Sequence, residues 1–141
     1  MYTSVILLCA AALAAVFDLK TSKIPNIIPF VTFAALCLNE LLQTGMVSMF
    51  FLFARALLVC VLLFPFFAVS SLGAGDIKLM AALSAGLSSR GALIFLFASF
   101  LWGAALGLMR MAKEKAGLRQ RLHLAPAILL GISTALLLGA G

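Results

Sequence analysis

Charged side chains are scarce in this chain, and acidic ones are the scarcest. Asp, Glu, Lys and Arg make up 10% of the 141 residues, compared with about 25% in an average soluble domain. Apolar residues instead reach 65%, and the mean hydropathy is +1.26. Too few polar side chains remain to cover a water-facing surface. We therefore expect lipid to surround most of the molecule.

The chain is also poor in the residue types that bind metals or serve as catalytic nucleophiles. It has one histidine, His123, and three cysteines within separate apolar runs, Cys9, Cys37 and Cys60. No C-x-x-C, H-E-x-x-H, G-x-S-x-G or Walker pattern occurs. Nothing in the spacing of Ser70 and His123 supports a serine–histidine pair. We expect no metal and no cofactor.

Apolar runs separated by charges, Pro and Gly predict an all-α fold. We expect a single domain over residues 1–141, built as a polytopic transmembrane bundle of about six helices. The predicted helices cover residues 2–17, 25–42, 46–72, 76–87, 90–111 and 124–138. The fourth is short, because about 12 residues at about 1.5 Å each cannot cross a hydrocarbon layer of about 30 Å. Residues 1–4 carry no Lys or Arg, so we interpret the first segment as a retained helix rather than a signal peptide.

The basic residues predict the orientation of this bundle. The net charge is +6, but the basic residues lie mostly between apolar runs and form no face that would bind nucleic acid. Residues 110–123 hold five Lys and Arg against one Glu, and such loops stay on the cytoplasmic side. Counting back through the helices puts the loops at 18–23 and 73–76 on that side, together with Lys20, Lys23 and Lys78. Both chain termini are then outside.

Other polar and small residues leave alternatives open. Glu40 and Arg55 flank one short hairpin, so they either pair with each other or reach the outer interface separately. Gly103 and Gly107 form a G-x-x-x-G spacing, which indicates internal helix packing more often than a dimer face. The oligomeric state stays open.

The two aspartates of the chain are the candidates for catalysis. Asp18 follows the first apolar run at the membrane boundary, where ionisable groups are costly and usually functional; the alternative is pairing with Lys20 or Lys23 in a solvated loop. Asp76 starts the short helix, where we expect it to be the N-cap, a position compatible with catalysis. Glycines at 73 and 75 permit irregular backbone at membrane depth.

A pair of carboxylates has a defined chemistry if the two meet. One keeps a proton and the other is ionised, because two adjacent negative charges repel. The ionised member takes a proton from water, which attacks a carbonyl, and the protonated member polarises that carbonyl. Composition and spacing do not assign the two roles.

Two motifs around these aspartates resemble those of the type IV prepilin peptidase family. Asp18 is followed by Ile24-Pro25-Asn26, and Gly73, Gly75, Asp76 and Lys78 match Gly-x-Gly-Asp-x-Lys. A weaker likeness is the start of the last helix, with Pro126 and Gly131. The resemblance implies that Asp18 and Asp76 are catalytic, with Ile24, Pro25, Asn26, Gly73, Gly75 and Lys78 in support.

The resemblance also implies substrates and a location. The substrates would be prepilins or pseudopilins with a basic leader and a hydrophobic N-terminal helix, cut at the cytoplasmic face of a bacterial inner membrane. The long family members carry a cysteine-rich, zinc-binding region with methyltransferase activity, and nothing of that kind precedes Asp18. We therefore expect peptidase activity only, as in the short forms of tight-adherence (Flp) pilus systems.

Two other functions would use the same residues differently. A proton- or cation-coupled carrier would use Asp18 and Asp76 as relay groups, although the chain lacks the internal repeat common in carriers. A non-catalytic assembly subunit of a pilus or secretion system is the other alternative.

Overall fold

The computed structural model contains six helices, as the sequence predicts. It describes residues 2–21, 24–68, 72–114 and 124–139, and no strand occurs among them. The helices are α1 (Tyr2–Thr21), α2 (Ile27–Gln43), α3 (Met46–Ala68), α4 (Ala74–Ala85), α5 (Ser89–Glu114) and α6 (Ala125–Leu137). The predicted all-α class, the six helices and the short fourth helix are confirmed.

Three helices are long and apolar enough to cross a membrane. They are α1, α3 and the Ser89–Met109 part of α5, while α2 and α6 are apolar but shorter. Large apolar side chains cover the outer surface of the bundle; Phe50 is 72% exposed and Phe97 is 74% exposed. In water such a surface would be unstable, whereas lipid accommodates it. The chain is a membrane protein.

The short helix α4 lies at the centre of the bundle and contacts each of the other five helices. Every side chain from Leu79 to Ala85 is buried. A helix that is apolar on all sides is stable only when protein or lipid covers it all round, and here protein does. Its 12 residues therefore need not span the membrane, and its first turn is held among longer helices.

Small residues allow the helices around α4 to approach closely. The buried face of α1 carries four alanines, Ala10, Ala11, Ala14 and Ala15, at helical spacing. In α6, a Cβ added to Gly131 would lie 2.9 Å from the Cα of Ser99 in α5. Gly103 also faces α6, 3.5 Å from Leu124. The internal-packing interpretation of the G-x-x-x-G spacing is thus confirmed at Gly103.

Several predicted helix ends are wrong, and two of the corrections affect the aspartates. Helix α1 continues to Thr21, so Asp18 lies within its last turn rather than after it. Helix α4 begins at Ala74 with Gly73 as its N-cap, so the prediction of Asp76 as N-cap is wrong. The Asp76 side chain instead folds back from the third helical position. Its carboxylate accepts a hydrogen bond from the Gly73 amide and so satisfies a backbone donor at the start of the helix.

Among the described residues, Glu40 and Arg55 form no ion pair with each other. Glu40 accepts a 2.8 Å hydrogen bond from the Thr44 hydroxyl. The Arg55 guanidinium donates to the carbonyl of Leu87, just beyond the end of α4. An unpaired carbonyl at membrane depth is costly, and Arg55 removes that cost.

Candidate active site

Asp18 lies on the buried face of α1, one turn from the end of the helix. It follows the small residues of this face at i+3 and i+4 spacing, and only 6% of its surface is exposed. Its Oδ2 accepts a 3.3 Å hydrogen bond from the backbone amide of Ala125, the first residue of α6. Helix packing thus directs a carboxylate inward.

Asp76 lies in the first turn of α4 and is half-buried. Its Oδ2 accepts a 3.2 Å hydrogen bond from the amide of Gly73. A Cβ at position 73 would lie 2.8 Å from the same oxygen, so glycine leaves room for the carboxylate to fold back. The first glycine of the motif therefore has a direct steric relation to Asp76.

The two aspartates act on each other electrostatically. Helices α1 and α4 are in contact, and Asp76 lies outside the three segments long enough to cross a membrane. Burial and then the negative charge of Asp18 raise the pKa of Asp76 to about 6, and the hydrogen bond from Gly73 opposes this shift. The fold brings together, at one end of the bundle, two carboxyl groups that are 58 positions apart (76 − 18) in the sequence.

Ile24 and Asn26, just before α2, lie against the first turns of α4. A Cβ on Gly75 would lie 3.2 Å from both the Cβ and the carbonyl oxygen of Ile24. Lys78 Nζ donates to Asn26 Oδ1 over 3.3 Å. Pro25 precedes Asn26, which is the N-cap residue of α2 but forms no side-chain capping bond. Four of the six predicted supporting residues, Ile24, Asn26, Gly75 and Lys78, therefore connect the two motifs.

Lys78 lies against the other motif, and its described hydrogen bond goes to Asn26. The amide of Ala125 next to Asp18 was not predicted. The residues Lys23, Ser70 and His123 of the sequence hypotheses lie outside the described residues.

The described residues contain no group of three or more His, Cys, Asp or Glu side chains that could hold a metal ion. Cys9, Cys37 and Cys60 are free thiols on three different helices. The chemistry available at the site is therefore that of two carboxyl groups, which can move protons and activate water.

Comparison with known proteins agrees with this geometry. Residues 5–108 match the family described as the type IV leader peptidase family. The chain belongs to this family. The match includes both aspartates and both motifs, and it ends before α6. No curated protein and no solved structure matches the chain.

Membership assigns the chain to a family of proteases and supports a general role as a leader peptidase with prepilin-like substrates. The resemblance inferred from the motifs is thereby confirmed. The catalytic assignment of Asp18 and Asp76 within this leader peptidase stays a prediction, and so do the roles of the six supporting residues.

Proposed function

We propose that this leader peptidase is an aspartyl endopeptidase in which Asp18 and Asp76 together activate a water molecule. The substrates are prepilins or pseudopilins, and the bond cut joins the basic leader to the hydrophobic helix that follows it. One observation carries the proposal: two aspartates from separate helices lie close enough for the charge of Asp18 to hinder ionisation of Asp76.

The pair divides the work of general acid–base catalysis. Asp18 is the ionised member and takes a proton from water as the water oxygen attacks the scissile carbonyl. Asp76 holds the shared proton, polarises the carbonyl and then supplies a proton to the leaving amine. The raised pKa of Asp76 and the amide that faces Asp18 support this division. No covalent intermediate forms.

The reaction takes place at the cytoplasmic face of the bacterial inner membrane. Asp18 contacts Ala125, which follows the basic stretch 110–123 by two positions. Loops rich in Lys and Arg stay on the cytoplasmic side. The start of α6, which follows the basic stretch in the sequence, thus lies at the acid pair, and this supports the orientation.

These residues supply proteolysis and not methyl transfer. Among the described residues, the cysteines lie on three helices and form no metal-binding cluster. A cysteine-rich zinc region like that of the bifunctional family members would require such a cluster. The mass of the new pilin N-terminus after cleavage by this chain alone would reveal any added methyl group.

The central test is co-expression with candidate prepilins from the same genome, scored by a gel shift on loss of the leader. Asp18→Asn and Asp76→Asn should each reduce processing by at least about 100-fold, because each removes a general acid or base. Both variants should still insert and accumulate, since Asn has nearly the same size as Asp.

Glu40→Gln is the matched control, because Glu40 is an acidic residue of α2 that bonds only locally to Thr44. It should process prepilin at the wild-type rate. Normal leader removal by either aspartate variant would overturn the proposal. Ion transport into vesicles without any cleavage would indicate the carrier instead.

A further inference from the structure

The N-terminus of α6 lies against the proposed catalytic aspartate of α1. The donor is the backbone amide of Ala125, whose side chain is fully buried. It reaches Asp18 Oδ2 over 3.3 Å, across 107 positions of sequence. The family match ends at residue 108, so this contact comes from a part of the chain that the match does not include.

This amide is available because of its place in the helix. The first four amides of a helix have no acceptor within the helix itself, and Pro126, at the next position, has no N–H. The described intrahelical ladder at this end includes the bond from Ile128 N to Leu124 O, at 3.0 Å. The Ala125 N–H can therefore point out of the helix end, along the positive end of the α6 dipole.

The surroundings of Asp18 make such a donor valuable. Asp18 lies in the last turn of α1, where the negative end of the dipole disfavours an ionised carboxylate. It is also buried, and a buried charge is costly unless it is hydrogen-bonded. The N-terminus of α6 opposes both effects with a donor and a dipole of the favourable sign.

Among the described residues, the helices that pack against α1 carry few charged groups, and α2 has only Glu40. The segment Ala125–Leu137 carries none. Helix α4 contributes Asp76 and Lys78, and Lys78 bonds to Asn26. Lys20 in the last turn of α1 is exposed. The contribution of α6 to Asp18 is thus made by backbone alone.

We propose that the Ala125 amide is a positioning group of the active site, which fixes the orientation of the Asp18 carboxylate through its hydrogen bond. Helix α6 is then part of the catalytic apparatus and not only a packing element. The inference rests on the proposed function, in which Asp18 is the general base.

Two substitutions at position 125 separate the amide from the side chain. Ala125→Gly removes the methyl group but keeps the N–H, whereas Ala125→Pro removes the N–H. We expect Ala125→Gly to lower kcat less than Ala125→Pro does, because only proline removes the donor. We expect Ala125→Pro to lower kcat by roughly tenfold to 100-fold, as for loss of a hydrogen bond to a charged group.

Proline at 125 would also restrict the preceding residue, because Leu124 has a helical backbone and a following proline disfavours that conformation. A backbone ester avoids this effect and is therefore the decisive variant. Incorporation of lactic acid in place of Ala125 exchanges only N–H for oxygen. We expect kcat to fall by roughly tenfold to 100-fold with little change in KM, because the amide positions the catalytic base and does not bind the substrate.

The same ester at Ala135, in the buried middle of α6, is the control. It removes an ordinary helical hydrogen bond, so it should lower stability while the kcat of the folded enzyme stays at the wild-type value. An unchanged kcat in the Ala125 ester, or an equal loss of kcat in the Ala135 ester, would overturn the inference. If Asp18→Asn still cleaves prepilin, the proposed function itself fails; if Asp18→Asn is inactive and the Ala125 ester is unchanged, only the role of α6 fails.

Discussion

Lys78 Nζ donates a 3.3 Å hydrogen bond to Asn26 Oδ1, which joins two sequence motifs 52 positions apart. Asn26 is the N-cap residue of α2, and Lys78 lies in the second turn of α4. The bond lies beside the contact of Gly75 with Ile24. Together these contacts fix the loop that follows Asp18 against the helix that carries Asp76. They therefore connect the two parts of the proposed active site.

A double-mutant cycle tests whether this bond acts as one unit. We expect Asn26→Ala and Lys78→Met each to slow prepilin cleavage by a few fold, because a hydrogen bond of this kind is worth about 1 kcal/mol. The double variant should be no slower than either single variant, since both remove the same bond. Cleavage rates of all four proteins give the coupling. Fully additive losses would mean that the bond does not link the motifs.

Gly73→Ala should reduce activity more than stability. The added Cβ would lie 2.8 Å from Asp76 Oδ2, and the carboxylate can move away because it is the end of a flexible side chain. A displacement of about 1 Å can cost about 100-fold in rate, while the helix start keeps its backbone bonds. The measurements are kcat for a purified prepilin and the thermal midpoint in detergent.

Gly103→Ala provides the comparison for that result. A Cβ at position 103 would lie 3.5 Å from Leu124 Cδ1 and 3.8 Å from Ala127 Cβ, which are ordinary packing distances. This variant should keep both kcat and the midpoint. A Gly73→Ala enzyme with wild-type kcat would contradict the steric relation between Gly73 and Asp76.

The sequence was sufficient to predict the fold class and to put the two aspartates at the same end of the bundle, but it left open whether their carboxyl groups meet. The apolar runs that Pro, Gly and charges separate are a strong signal for membrane helices, and the order of the helices places residues 18 and 76 at the same end. Helix ends were predicted less well. Asp is favoured both at the N-cap and in the first turn, so the sequence could not decide between these positions for Asp76.

Two contacts of the site region had no usable sequence signal. The amide of Ala125 is a backbone group, and every residue except proline has one; only three-dimensional packing brings it to Asp18. Arg55 and Glu40 flank one hairpin, which left an ion pair and separate positions equally open, but the Arg55 guanidinium reaches the carbonyl of Leu87. The position of the end of α4 decides that contact, and no local pattern encodes it.

The raised pKa of Asp76 predicts how stability changes with pH. Its folded-state pKa of about 6 lies above the ordinary value of 3.8, so the folded protein binds the proton more tightly than the unfolded chain does. The associated stability is complete below about pH 4 and is lost as the pH rises through about 6. Asp76→Asn, which stays neutral, should lose less stability over this range. Thermal midpoints in detergent between pH 4 and pH 7 measure the difference.

Glu40→Gln should keep the wild-type slope in the same series, since Glu40 has no contact with the acid pair. An identical fall of the midpoint in the wild type and in Asp76→Asn would contradict the raised pKa. In the same pH range, cleavage by the wild type should decline above about pH 6 as the shared proton is lost, by about tenfold per pH unit.

Arg55 should stabilise the C-terminal end of α4 and, through it, the whole bundle. Its guanidinium donates to the carbonyl of Leu87, and hydrogen bonds of charged groups contribute about 1.5–3 kcal/mol. We expect Arg55→Met to lower the thermal midpoint, because the carbonyl of the buried residue Leu87 then loses this partner. Arg55→Lys should restore part of the loss, since an ammonium group can donate to the same oxygen but has a shorter reach.

Arg90→Met, at the exposed start of α5, is the matched control and should leave the midpoint unchanged. Equal midpoints for Arg55→Met and Arg90→Met would show that α4 does not depend on this contact.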